Sequence, residues 1–253
     1  MRRLAAALAV EGRKTMVARI TAVTTVFLAF GIGAIAAGMT VAARNGNPQV
    51  LAKLGPAASL EGWDRLLAIV TQITAAAAVV GFGVLLSWIV GREFTEGTAP
   101  GLFALPVPRA AIASAKLLVY LLWTIAVAVI LVATVGIAGV LVGLSAPSSD
   151  VLTLLLRLMA LTMLSAMIAV PAAWAATLGR GILAGIATTA GLVVIGQVMA
   201  VSGSGAWLPL TAPALWAINP GSVTPTQLSL VAIVPALFGF LTVRAWATLQ
   251  LDR

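Results

Sequence analysis

The chain of 253 residues is 61% hydrophobic and 9% charged, carries a formal net charge of +8, and contains neither cysteine nor histidine. Soluble domains are about one quarter charged, so the apolar surplus of this chain belongs in lipid. The two missing residue types exclude disulfides, thiolate metal sites, His-held zinc or haem, and every Ser/His or Cys/His nucleophile pair.

In chain order, residues 1–18 mix Leu4, Leu8 and Val10 with Arg2, Arg3, Arg13 and Lys14. That pattern predicts an amphipathic interfacial helix, too charged to be buried and lying on the membrane surface. Glu11, Arg13, Lys14 and Arg19 also interrupt any apolar stretch that could serve as a cleavable signal peptide. The first span is expected over residues 20–43. Turn signals follow, Asn-Gly, Asn-Pro and Gly-Pro among them, in "RNGNPQVLAKLGPAASLEGWDR". Further spans are expected over 66–90, 117–144, 151–178, 182–201 and 228–249, each near the twenty residues or so that cross a bilayer. The last contains Pro235 and meets Arg244 early. Residues 202–227 carry no charge but many Gly, Pro, Ser and Asn, which suits an extracytoplasmic loop or a re-entrant piece. The expectation is therefore an all-α, polytopic membrane protein with six transmembrane helices, forming one transmembrane domain over residues 1–253.

Charge orients it. Arg2, Arg3, Arg13, Lys14 and Arg19, then Arg92, Arg109 and Lys116, then Arg180, Arg244 and Arg253 fall on one side of the six spans. Arg44, Lys53 and Arg65 fall on the other. The positive-inside rule makes the termini and the loop at 91–116 cytoplasmic. These basic residues sit at span ends instead of forming one stripe, so lipid, not nucleic acid, is their expected partner. Tryptophan placement agrees, with Trp63, Trp207 and Trp216 near the outer boundary and Trp88, Trp174 and Trp246 near the inner one.

The densest polar punctuation is "GREFTEGTAPGLFALPVPRAAIASAK", residues 91–116, between the second and third spans. It opens with Arg92 and Glu93 and continues through Glu96, Gly97 and Thr98. An apolar patch, Leu102 to Leu105, then leads to Pro106, Pro108 and Arg109, and Lys116 opens the next apolar run. A short amphipathic helix between two turns, carrying both signs of charge, suits docking of a soluble partner. Acids do little for orientation, so Glu93 and Glu96 point to docking or ion pairing more than topology does.

Glu-x-x-x-Gly-Thr at 93–98, Pro-Val-x-Arg at 106–109 and the following Lys116 resemble the ATP-binding cassette type-2 permease family, and the whole chain fits its six-span layout. The resemblance implies a coupling helix in the 91–116 loop, seated in a groove of a separate ATPase subunit. It also implies pairing with a second copy or a homologous permease, residence in the cell (inner) membrane, and export of drug, antibiotic, lipid or peptide cargo. Arg92, Glu93, Glu96, Gly97, Thr98, Pro106, Arg109 and Lys116 are the coupling residues it marks. The sequence has no G-x-x-x-x-G-K-[ST] phosphate loop, so ATP and Mg belong on the partner and this chain is expected to be neither an ATPase nor otherwise catalytic, with no metal ligands.

Within the spans, Gln72, Arg157 and Gln197 are pathway or helix-contact candidates, since a polar group at membrane depth is functional by default. Gly139-x-x-x-Gly143 and Gly181-x-x-x-Gly185 have the spacing of close helix contacts, and the small residues of 184–191 suit a subunit interface or pathway wall. Three other readings compete. A membrane-embedded enzyme, such as a lipid transferase or protease, has almost nothing to work with, lacking His, Cys and an acid pair in a span. An ion-coupled secondary transporter usually needs an acid inside a span, and all seven acids lie at edges or in loops. A non-transporting membrane anchor would use the same loop to recruit a soluble partner.

Overall fold

In the computed structural model the described residues are 2–104, 106–202 and 204–250, and among them every regular element is helical. Arg253 and Leu105 of the apolar patch lie outside the described residues. Among the described residues, six helices have the length and apolar character to cross a membrane: Arg19–Arg44, Gly62–Thr95, Arg109–Leu141, Ser149–Leu178, Ile182–Ala200 and Pro225–Thr248. An even number of crossings brings both termini to the same end of the bundle.

The second and third helices, 34 and 33 residues long, exceed the expected spans. At 1.5 Å per residue each is about 50 Å long against a hydrocarbon core of about 30 Å, so both project beyond it. The charges that mark a span's end in the sequence do not end the helix. "RAAIASAK" is thus the first two turns of the third span and not a separate segment.

Local chemistry sets the other boundaries. Asn47 accepts from the backbone N–H groups of Gln49 and Val50 at 3.1 and 3.2 Å, with Pro48 in the first turn, and starts a short helix, Pro48–Leu54, where turns alone were expected. Thr224 and Gln227 form a reciprocal capping box ahead of the sixth span. Pro235 sits close to the start of its last α-helical stretch, Ile233–Thr248, where a missing N–H costs little. The fourth span is interrupted at Ala169 and Val170 and resumes at Pro171, which cannot supply the next ladder hydrogen bond. The first span contains a π-helical stretch, Val26–Gly31. Residues 204–224 fold as short turns and 3-10 helices around a helix, Ala212–Ile218, that packs on the second and fourth spans.

The second span is the hub. Half of its apolar window is buried, against 17% and 11% for the fifth and sixth spans. Leu66, Phe82, Leu85 and Leu86 are wholly enclosed. Small residues let the fifth span lie against it. Gly185 faces Ser87, Gly83 faces Thr189, and a Cβ on Gly91 would stand 2.7 Å from the Ile182 nitrogen. The Gly181/Gly185 spacing therefore marks a contact inside the chain, with Ala187, Ala190 and Gly191 left on the exposed face. Gly139 and Gly143 do different work. Gly139 makes room for the Trp63 ring, and Gly143, at φ +86°, closes the third helix in the left-handed region. Trp63, at the very start of the second span, is buried and donates from Nε1 to the Ser145 carbonyl at 2.9 Å.

Candidate functional site

The Glu-x-x-x-Gly-Thr string explains itself as the end of the second span. Gly97, at φ +68°, sends its N–H to the Phe94 carbonyl at 3.2 Å, and the Thr98 N–H reaches the Glu93 carbonyl at 2.9 Å. These are the two bonds of a Schellman closure, which needs a left-handed residue four positions after the one whose carbonyl is recaptured. The Thr98 hydroxyl then donates to Glu93 Oε2 at 2.7 Å, tying the side chain to the same turn.

Glu93 and Lys116 do not face outward. Lys116 is fully buried and Glu93 is 3% exposed. Lys116 Nζ donates to Glu93 Oε1 at 3.1 Å, to Glu11 Oε2 at 2.7 Å and to the Ile89 carbonyl at 2.9 Å. An ammonium has three N–H groups, so this one is saturated. Lys14, one turn after Glu11, bonds Glu11 Oε1 at 3.2 Å and Glu93 Oε1 at 3.1 Å. Arg92 Nε approaches Glu93 Oε1 at 3.5 Å while its guanidinium lies 4.4 Å over the Trp88 ring. The N-terminal helix Arg2–Met16 is thereby bolted to the second and third spans, with Glu11 buried in the joint. The expectation that this helix is too charged to be buried fails at Glu11, because the opposing charges it meets lie some eighty to a hundred residues away in sequence.

Aromatic packing closes the joint from the other side. Trp246 is wholly buried near the end of the sixth span, donates from Nε1 to Thr177 Oγ1 at 3.0 Å, and has its ring 5.8 Å from Lys116 Nζ. Phe94 and Phe103 flank it at 5.6 and 6.0 Å between centroids. A short helix, Ala99–Phe103, lies within the 91–116 loop. Arg109 stacks 4.3 Å over Phe103 and donates to the Leu249 carbonyl, holding the loop to the chain's end.

Of the eight loop residues singled out from the sequence, Glu93 and Lys116 form the buried joint, with Arg92 and Arg109 half-buried beside it. Glu96, Gly97, Thr98 and Pro106 are exposed and, with Pro100 and Pro108, make an outward strip. Sequence reasoning missed Glu11, Lys14 and Trp246 as members. The signal available was an acid and a base one turn apart in an otherwise alanine-rich helix.

The candidates at membrane depth lie elsewhere. Gln72 and Gln197 line one cavity of about 240 Å³, and Gln72 and Arg157 line a neighbouring one of about 270 Å³. Gly185 lines neither of these; it is packed on Ser87.

With this geometry in hand, a comparison with protein families finds that the model described as "ABC-2 family transporter protein" matches residues 12–196, from the buried end of the N-terminal helix to the fifth span. No curated protein and no solved structure gives a match.

Proposed function

Because the chain belongs to the ABC-2 transporter family and is a multi-pass transmembrane permease, we propose that it is the membrane subunit of an exporter driven by a separate ATP-binding subunit. Proteins of this family work with such a subunit, which gives the kind of partner. The termini and the 91–116 loop face the cytoplasm, as the basic residues require, and the protein sits in the cell membrane beside a second copy or a homologous permease. ATP and Mg are held by the partner.

One observation carries this reading. The root of the loop is joined by a saturated ion network to the N-terminal helix and to the second and third spans, while Glu96 and the prolines remain outside it. A force applied to the exposed strip thus acts on three helices together. Glu96 supplies the exposed charge that registers the ATPase groove, and Glu93 and Lys116 transmit. The cargo is hydrophobic or amphipathic.

The test is reconstitution with the ATPase, scored as hydrolysis and cargo movement. Glu96→Lys leaves insertion and folding intact but weakens ATPase binding and cargo-stimulated hydrolysis. A non-transporting anchor would bind the ATPase yet show no cargo-stimulated hydrolysis, and that result would replace the exporter reading.

A further inference from the structure

The two cavities lie end to end on one face of the second span. Asp64, Ala68, Gln72, Ala76 and Val79 recur every three or four residues, and this single helical stripe lines both, with Gln72 and Ile218 shared between them. The stripe covers about 22 Å at 1.5 Å per residue. It is polar at the end of the bundle opposite the termini, where Asp64, Thr71, Gln72 and Arg157 line the 270 Å³ cavity. Deeper in, the 240 Å³ cavity is mostly apolar, with Ala75, Ala76, Val79 and Leu192 in its wall and Gln72, Gln197 and Thr211 as its polar side chains.

The two charges in the polar chamber are open. Among the described residues neither Asp64 nor Arg157 forms an ion pair, with each other or with any other group. The Arg157 guanidinium lies 6.0 Å over the Trp216 ring, and its N–H donors carry no protein acceptor among the described residues. Within a span an arginine is ordinarily paired, so a missing counter-charge points to a ligand that brings one. Asp64 at the aqueous edge, in the first turn of its helix, also complements the helix dipole, but that role leaves its carboxylate oxygens free to face the cavity.

We propose that the two adjacent cavities together bind one amphiphile with a zwitterionic head. Its phosphate accepts from Arg157, its ammonium lies against Asp64, and its single acyl chain runs along Ala75, Ala76 and Val79. That this amphiphile is exported rests on the permease reading; its binding does not.

Native mass spectrometry of the purified full chain in neutral detergent tests this with four amphiphiles of one chain length. These are a lysophosphatidylcholine, a lysophosphatidic acid, an acyl trimethylammonium and a monoacylglycerol. The zwitterion binds one per chain, about tenfold or more tighter than the other three, since a charge-assisted hydrogen bond is worth at least that factor. Arg157→Gln and Asp64→Asn each remove the preference, and Arg157→Lys keeps most of it. Equal binding of the monoacylglycerol, or tightest binding of lysophosphatidic acid unaffected by Asp64→Asn, overturns the proposal without needing any variant of altered fold. Selective binding with no ATP-driven movement of the same lipid would leave the site standing and remove the reading of that lipid as cargo.

Discussion

The molecule handles charge in opposite ways at its two ends. At the loop, Glu11, Lys14, Glu93 and Lys116 satisfy one another within 3.2 Å and are largely shut away from solvent. At the far end, Asp64 and Arg157 line a cavity and form no ion pair among the described residues. A closed network binds parts of the protein together, and an open pair is available to a visitor. The contrast follows from desolvation: a buried ion must be fully compensated, whereas one at a wet cavity mouth can wait for its partner.

Breaking the closed network gives the largest effect. Lys116→Met strands two buried carboxylates beside the remaining Lys14 and lowers stability by about 3–5 kcal/mol, read from the melting temperature in detergent. Replacing Glu11 and Glu93 by Gln in the same variant recovers most of that loss, and a triple variant as weak as the single one would show that packing, not charge, holds the joint. Gly185→Leu comes next. It drives a side chain into Ser87 and the Ala172 carbonyl, so it costs about 1–3 kcal/mol by the same assay and separates the second and fifth spans. Thr98→Val removes the hydroxyl bond to Glu93 but keeps the backbone closure, for about 1 kcal/mol. Glu96→Lys, on the exposed strip, moves stability by no more than about 0.5 kcal/mol while changing ATPase stimulation, the sharpest sign that the two sides of this loop differ in kind.

Much of the architecture could be read from the chain alone, and the reasons are physical. Six apolar stretches declare themselves because lipid admits no other way to satisfy their backbones. Helix ends were less legible, because Arg92 and Arg109 can extend a helix past the hydrocarbon as easily as stop it. The Asn47-Pro48 pair has the chemistry of a helix start and of a turn alike, and only the bonds from Gln49 and Val50 decide between them. The loop was legible as a polar element but not as two-sided: which acid turns inward depends on Glu11 and Lys116, whose separation in sequence gives no hint of contact. Gly139 illustrates the same limit, since its spacing to Gly143 resembles a helix pair and its actual neighbour is the Trp63 ring.

The second span runs from Gly62 to Thr95 as one unbroken rod without an internal proline, unlike the fourth span with its gap before Pro171. Asp64 and Glu93 are therefore opposite tips of a single stiff body, about 44 Å apart along its axis. A tilt of about 10° about one tip sweeps the other through roughly 8 Å, more than enough to reshape the polar chamber around Arg157. Reciprocity then holds for the same rod: a ligand held in the chamber would bias the angle of the loop at the other tip.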